Sequence, residues 1–369
     1  MAYNWQLSTW PEFVYEVKDI QPIILAFAEE TGEVSGVIQA LSDDLKQESW
    51  LQLMLSEAIK TSEIEGELIS RVDVMSSIRN QLGLNDKLIP IKDRRAGNIA
   101  QLLLEVRKSF AEPLSVQMIQ IWHGLLMDDV HQVNAGEWRK GSAPMQIISG
   151  AHGHEVVHFE APPSAEVPDE MLQFVDWYNT VVFPLKGDTA EAVLKSALAH
   201  LYFESIHPFE DGNGRIGRAI AEKALSQSLG RPVMLGLSKI IEKNKAAYYA
   251  ALKEAQRTLE VSNWINYFGT VILEAQRDAK TMVQFTLKKA QFFDRYKDQL
   301  NQRQLKVVNK MLEKGWEEFE GGMTTKKYIA ITKTSKATAT RDLQQLQELG
   351  AFIPEGAGRA VHYHLSLPY

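Results

Sequence analysis

Residues 207–218 read HPFEDGNGRIGR, packing one imidazole, two adjacent acids, three glycines and two arginines into a single short stretch. Within it, Gly212 to Gly217 match G-x-G-x-x-G, the turn that cradles phosphates in dinucleotide-binding folds. Whether that match holds decides the fold. The dinucleotide turn must leave a strand and open a helix inside a βαβ unit. Here the preceding stretch, EAVLKSALAHLYFESI, places Val193, Leu194, Ala197, Leu198, Leu201 and Tyr202 at helical spacing. Downstream, Ile216, Ala219, Ile220, Ala224 and Leu225 keep that spacing until Gly230 and Pro232 stop the helix. No parallel-strand pattern surrounds the segment, so it joins two helices and the dinucleotide fold is refused.

The rest of the chain is also mainly helical. Leu51, Met54, Leu55, Ala58 and Ile59 form a helical stripe that ends near Gly66. Ser262 is expected to cap a long helix through Trp264, Ile265, Phe268 and Ile272, followed by the polar stretch KKAQFFDRYKDQLNQRQ as a helical linker. The exception is APMQIISGAHGHEVVHFEAPP, β-branched and punctuated by Gly and Pro, which predicts a hairpin flap. It contains H-E-x-x-H (His154 to His158), a zinc-protease pattern that works only on a helix. In an extended segment the two histidines would stand about 13 Å apart, too far to share a metal. From residue 302 on, helices over Gln304 to Lys314, Thr325 to Ile331 and Ser335 to Leu349 precede a hairpin turning at Glu355–Gly358. Three helices and a two-stranded wing predict a winged helix-turn-helix.

Composition narrows the function classes. The chain of 369 residues is long enough for two or three domains, and 45% hydrophobic content lets each bury a core. No apolar run approaches the roughly 20 residues that cross a bilayer, and the start, MAYNWQLSTW, lacks the order of a secretory leader; a cytoplasmic location is expected. The absence of Cys excludes thiolate catalysis and cysteine-ligated zinc. With 40 basic against 47 acidic residues, nucleic acid is not expected as the partner of the whole molecule.

The chemistry lies in residues 207–218. Glycines before a helix start expose N–H groups to an anion. Arg215 and Arg218 are three residues apart, so both guanidiniums can lie near one face of the helix's first turns. Arginines oppose the dipole there, a placement that makes sense if a polyphosphate sits between them. Asp211 is a single carboxylate beside that site, which suits a magnesium ion completed by phosphates and water. His207 is placed to take a proton from a hydroxyl. Together they predict transfer from a magnesium-bound nucleotide to an alcohol.

HPFEDGNGRIGR also resembles in full the signature of the Fic family, H-P-F-x-[DE]-G-N-G-R-x-x-R. GEWRK (Gly136 to Lys140), PMQIIS and PPSAEVPDEM are similar to what precedes that signature, and the resemblance covers roughly Leu114 to Gln276. It implies a mainly α Fic-type helical core with a small β-hairpin flap. An N-terminal helical domain (1–110), a catalytic domain (111–280), a linker (281–301) and a winged helix (302–369) follow as the expected organisation. It further implies transfer of AMP from ATP to Ser, Thr or Tyr hydroxyls, with pyrophosphate released. On that resemblance His207 is the general base and Asp211 holds Mg2+. Gly212, Asn213, Gly214 and Arg215 hold phosphates, Arg218 reaches the γ-phosphate, and Phe209 anchors the loop. Gln146, Ile147, Ile148 and Ser149 form the flap that clamps a target protein by strand addition. Tyr248 is the aromatic near adenine, with Gln256 as its companion where relatives often carry Asn.

TSEIEG (Thr61 to Gly66) resembles the inhibitory motif [ST]-x-x-x-E-[GN] of autoinhibited members. Glu65 is expected in the last turn of its helix, where the dipole disfavours an anion, so a guanidinium partner is expected in Arg218, with Thr61 on the same face. AMP removal at the same site, with Glu65 as a base, and a nucleotide-sensing transcriptional regulator are the alternatives. A homodimer is expected. From Gln302 on, ten basic and seven acidic residues leave a mildly positive module for which DNA contact through the Ser335 helix and Arg359 is an option.

Overall fold

The structure, a computed structural model, describes residues 2–130, 133–149, 156–185, 187–233, 235–312 and 321–367. In chain order its elements are α1 (Val17–Ala40), α2 (Asp43–Ile64), α3 (Arg71–Gln81), α4 (Arg94–Lys108), α5 (Val116–Met127), β1 (Gln146–Ser149), β2 (Val156–Glu160), α6 (Val167–Thr180), α7 (Asp188–Ile206), α8 (Asn213–Ser228), α9 (Leu237–Lys243), α10 (Lys245–Ala255) and α11 (Ser262–Tyr296). They continue as α12 (Gln302–Leu312), α13 (Thr325–Thr332), α14 (Lys336–Glu348), β3 (Phe352–Glu355) and β4 (His362–Leu365). The fold is mainly helical, and the glycine-rich segment joins α7 to α8, helix to helix.

The chain divides into two compact units, residues 1–32 with 50–279, and residues 33–49 with 280–369. In the first unit α7 and α8 form the central hairpin, and every α7 residue from Ala192 to Ile206 is buried. Around them Leu55 and Ala58 of α2, Ile99 and Leu103 of α4, Trp122 of α5 and Phe174 of α6 join Phe203, Phe209, Ile216 and Ile220 in one core. Side-chain caps start several of the surrounding helices: Ser70 accepts from Asp73 N–H and Ser115 from Met118 N–H. Ser262 departs from its expected role. It is the first residue of α11, and its hydroxyl accepts the Glu16 N–H at 2.8 Å. The expected boundary at residue 110 does not separate two bodies, because helices on both sides of it supply the same core.

The flap pairs β1 with β2 antiparallel, Gln146 opposite Glu160, with an irregularity between Ile147 and Ile148. His158 therefore sits on a strand and the helical zinc-protease geometry is refused; His154 lies outside the described residues.

In the second unit Val307, Met311, Tyr328, Leu343, Leu346 and Phe352 pack with Phe292 and Tyr296 of α11. Residues 281–301 are thus no linker: α11 runs unbroken to Tyr296, and its aromatics belong to this core. Three helices precede the antiparallel β3–β4 pair, and Ser335 caps α14 by accepting from Thr338 N–H.

Candidate active site

Helix α7 ends at His207, whose backbone is left-handed at φ 50°, ψ 60°. Histidine tolerates that region better than most residues, and Pro208 cannot extend the helix. The turn that follows is fastened from several sides. Asn213 clamps it, accepting from Phe209 N–H and donating to Phe209 C=O, both at 2.9 Å. Its side chain is thereby committed to the loop, which leaves its main-chain N–H for an anion. Phe209 is fully buried and stacks on His123, ring centroids 3.7 Å apart. His123 Nδ1 accepts from Gly136 N–H, so its Nε2–H donates to Asp211 C=O at 3.1 Å. Burial pulls His123 down to about 4, which keeps this ring neutral.

Arg139 is the fastener the sequence did not single out. Buried, it donates to His207 C=O at 2.8 Å, to Ser164 Oγ at 2.8 Å and to Pro162 C=O at 2.5 Å. Its main-chain N–H also bonds Pro208 C=O. Its only hint was its place inside GEWRK.

His207 Nδ1 lies 3.6 Å from Glu204 Oε2, one turn back on α7, and both side chains are nearly buried. Burial alone would raise the Glu204 carboxyl, but His207, His200 and Arg218 around it bring it below its ordinary value. Gly217 gives Glu204 room: a Cβ there would stand 2.6 Å from Glu204 Oε1. With Nδ1 turned to Glu204, Nε2 is the nitrogen left for a reacting group.

Helix α8 opens at Gly212, left-handed at φ 82° and without a side-chain cap. Its first amides are therefore open to an anion. Asp211 beside it is mostly exposed; its Oδ1 accepts from Gly212 N–H and lies 3.6 Å from Arg215.

Arg218, 2% exposed, is held by the end of α2 through Nε and Nη2. Its Nε donates to Thr61 Oγ1 at 2.8 Å, and its Nη2 donates to Thr61 C=O at 3.0 Å and to Glu65 Oε1 at 2.8 Å. Glu65 falls just past α2 rather than in its last turn, before Gly66 at φ 82°. Its carboxylate hangs over the start of α8, where a Cβ on Gly214 would come within 2.5 Å of Glu65 Oε1. A second acid, Glu67, meets the other arginine, with Arg215 Nη1 donating to Glu67 Oε1 at 2.9 Å. The α2 end is tied down beyond these pairs. Glu57 accepts from Ser238 N–H at 3.0 Å, Lys60 bonds Glu242 at 3.2 Å, and Lys245 donates to Ile64 C=O.

One cavity of about 600 Å³ gathers Glu65, Ile147, His207, Asp211, Gly212, Asn213, Gly214, Arg218, Tyr248 and Gln256. Thr61, Arg215, Gln146 and Ile148 do not line it. Tyr248 lines the cavity, and its hydroxyl bonds His200 Nε2 at 2.8 Å. Gln256 spends its amide donor on Glu204 C=O at 3.1 Å. Tyr249, Phe159 and Lys253 also line the space and were missed, having no motif to mark them. An imidazole, a carboxylate, a guanidinium and a helix N-terminus around an aromatic-sided cavity suit a nucleotide triphosphate.

Comparison with known proteins agrees. The Fic/DOC family matches residues 113–225, and a domain of unknown function, DUF4172, matches residues 3–84. Over 98 residues the chain is 35% identical to a protein of Aquifex aeolicus named a probable protein adenylyltransferase, covering 27% of each. It is 25% identical to the protein adenylyltransferase Fic of Drosophila willistoni over 195 residues, 52% of this chain and 35% of that protein. The matched stretch thus spans about a third or less of these curated relatives' length. Among solved structures, a Fic family protein from Desulfovibrio desulfuricans aligns over 94% of this chain and 97% of its own, with TM-score 0.52 and 19% identity. A Fic domain containing signaling protein from Bacteroides thetaiotaomicron gives TM-score 0.52 and 19% identity over 72% of this chain and 97% of its own. These two are likenesses of fold. With signature, loop geometry and matched model on the same residues, residues 113–225 form a Fic/DOC domain.

Proposed function

We propose that this protein transfers AMP from ATP to a Ser, Thr or Tyr hydroxyl of a target protein and of itself, and that Glu65 restrains the reaction. The observation that carries this is the shared cavity: His207, Asp211, Arg218 and the start of α8 face it together, with Glu65 seated on the guanidinium. The target oxygen attacks the α-phosphorus. An O–P bond forms as the bond from that phosphorus to the bridging oxygen breaks, and pyrophosphate leaves with the electron pair. The hydroxyl proton passes to His207 Nε2, and the Glu204 carboxylate balances the imidazolium that results. The α8 amides, Arg215 and Arg218 receive phosphate charge.

Asp211 is the residue fitted to hold Mg2+, since one exposed carboxylate beside an anion site is the donor set this cation accepts when phosphates and water complete its shell. Bound with ATP, the cation neutralises phosphate charge. Asp211→Asn should therefore weaken magnesium-dependent ATP binding. Unchanged magnesium dependence would move the role to Glu210, which lines the same cavity. On the other wall, the short strand β1 supports capture of an extended target segment.

The test is label transfer from ATP labelled at the α-phosphate. His207→Ala should lose at least about 10²-fold in rate while still binding ATP, because the base acts on the nucleophile. Transfer within tenfold of the parent would remove His207 from the role. A second reading, AMP removal, rests on Glu65 lining the same cavity as His207, where its carboxylate could activate water. Selective loss of AMP removal in Glu65→Gly would favour it.

The proposal extends to the second unit, whose helix–helix–helix–hairpin order supports a winged helix-turn-helix with exposed Lys336 and Arg341 on α14 offered to DNA. A homodimer in the cytoplasm completes it, and light scattering checks the oligomer.

A further inference from the structure

We propose that the β3–β4 hairpin carries a site for a divalent d-block cation, held by Glu355, His362 and His364. The register sets Glu355 opposite His362 and Ile353 opposite His364. Alternate residues of a strand share a face, so the two imidazoles stand side by side with the carboxylate reaching across from the partner strand. One ligand atom from each residue lies within 4.8 Å of the other two. Glu355 Oε2 is 3.0 Å from His364 Nε2 and 3.5 Å from His362 Nε2.

The carboxylate stands at ion-pair distance from both rings, and the hydrogen bonding behind them adds an orientation that suits a metal. His362 Nδ1 lies 3.1 Å from Ala360 C=O, which can only accept, so Nδ1 carries the hydrogen and, in the neutral ring, Nε2 offers its lone pair. A backbone carbonyl behind an imidazole is how metal-binding histidines are commonly oriented. His364 Nε2 is shielded from solvent and has no hydrogen-bond partner among the described residues. Three ligand atoms converge, with Glu355 Oε2 at ion-pair distance from both imidazoles and no hydrogen bond made by His364 Nε2 among the described residues.

The backbone that presents them is held from outside the hairpin. Tyr363, between the two histidines, exchanges both main-chain hydrogen bonds with Met323, at 2.7 and 2.9 Å. Gly322, left-handed at φ 58°, lies so close to the His362 ring that a Cβ there would stand 2.7 Å from Cδ2. Two imidazole nitrogens and one carboxylate oxygen are a borderline donor set. It suits zinc and its d-block neighbours, with water in the open position, and does not suit magnesium or calcium, which take oxygen ligands. None of the three residues belongs to the AMP-transfer site, so the site stands or falls independently of that activity. A bound cation would pin the two strands of the hairpin together and stabilise the second unit by mass action.

The experiment is calorimetric titration of Zn2+ into the untagged, chelator-stripped full chain, with Co2+ absorption as a check on coordination. The parent should bind one equivalent at this site and melt at higher temperature with Zn2+ than with chelator. His362→Ala and His364→Ala should each weaken that binding at least about tenfold, and Glu355→Gln should weaken it too. All three variants should melt like the parent in chelator, which separates ligand loss from misfolding. Equal zinc affinity and stoichiometry in the parent and the double variant His362→Ala/His364→Ala would overturn the proposal. So would a parent that takes up no Zn2+ at tenfold excess, or one whose hairpin variants lose Mg2+ binding instead.

Discussion

The contact between His207 and Glu204 would give the proposed base its direction. A carboxylate 3.6 Å from Nδ1 favours the tautomer that leaves Nε2 free and steadies the imidazolium once the proton arrives. Glu204→Gln keeps the shape and removes the charge. It should lower kcat at least about tenfold with little change in KM for ATP, and Glu204→Asp should recover part of the loss. An equal rise in KM, or no difference between the Gln and Asp variants, would reduce Glu204 to packing. His123 makes a different kind of prediction. Its pKa is about 4 in the folded protein against an ordinary 6.5, because burial disfavours its charged form. A depressed folded value means the unfolded chain binds the proton first as pH falls. The stability is therefore fully present above about pH 6.5 and is lost progressively toward pH 4, by roughly 3 kcal/mol for this group. Urea midpoints measured across that window should fall, and His123→Gln should flatten the fall; an unchanged slope would clear His123 of the effect. These residues also mark what one reads from a chain. That His207, Asp211 and Arg218 share one cavity was legible because they lie within twelve residues of one helix–turn–helix junction. Arg139, Glu204 and His123 were not, because a buried polar residue's role is set by partners that only the fold brings within reach.

At the scale of elements, the proposed control rests on how α2 ends against how α8 begins. The anion site at the start of α8 and the Arg218 guanidinium are both engaged by Glu65, and Arg215 is engaged by Glu67. A γ-phosphate seeking Arg218 would have to displace a carboxylate and sit beside its charge. Misplacing the triphosphate by about 1 Å can cost around 10²-fold in rate. Glu65→Gly should therefore raise labelling at least about tenfold, and Arg218→Ala should lower it and cancel the gain in the double variant. Equal labelling by the parent and Glu65→Gly would end the autoinhibition proposal. Glu67→Gln should raise labelling by less, since Arg215 is freed while Arg218 stays held. The ordering of the two single variants is the check, and a larger gain from Glu67→Gln would reassign the restraint to Arg215. The helix stripe ending near Gly66 made Glu65 readable, because a glutamate at a helix end is misplaced against the dipole. Glu67 follows the glycine turn, where no periodicity marks a residue. The flap was readable from its β-branched run, and α11 was misjudged in part because its polar stretch hid Phe292 and Tyr296, which only a second core explains.

At the scale of the molecule, where the chain can be cut follows from which core each aromatic serves. Ending it near Lys297, the boundary that the polar stretch alone suggests, would leave Phe292 and Tyr296 without Val307, Met311, Leu346 and Phe352, the residues they pack with. Exposed aromatics of that kind favour association. Ending it at Ala279 removes α11's aromatic end together with its core and keeps every residue assigned to AMP transfer and restraint. The shorter chain should therefore stay dispersed on size exclusion where the Lys297 version forms larger species, and it should keep label transfer within about tenfold of the parent. Glu65→Gly should stimulate it as it does the full chain, because α2 from Trp50 on and α8 belong to the same unit. A monodisperse 1–279 chain with native helix content and no label transfer would show that the second unit completes the catalytic site. A chain that is active but indifferent to Glu65→Gly would show instead that the restraint depends on residues 280–369, and that Glu65 alone does not hold it.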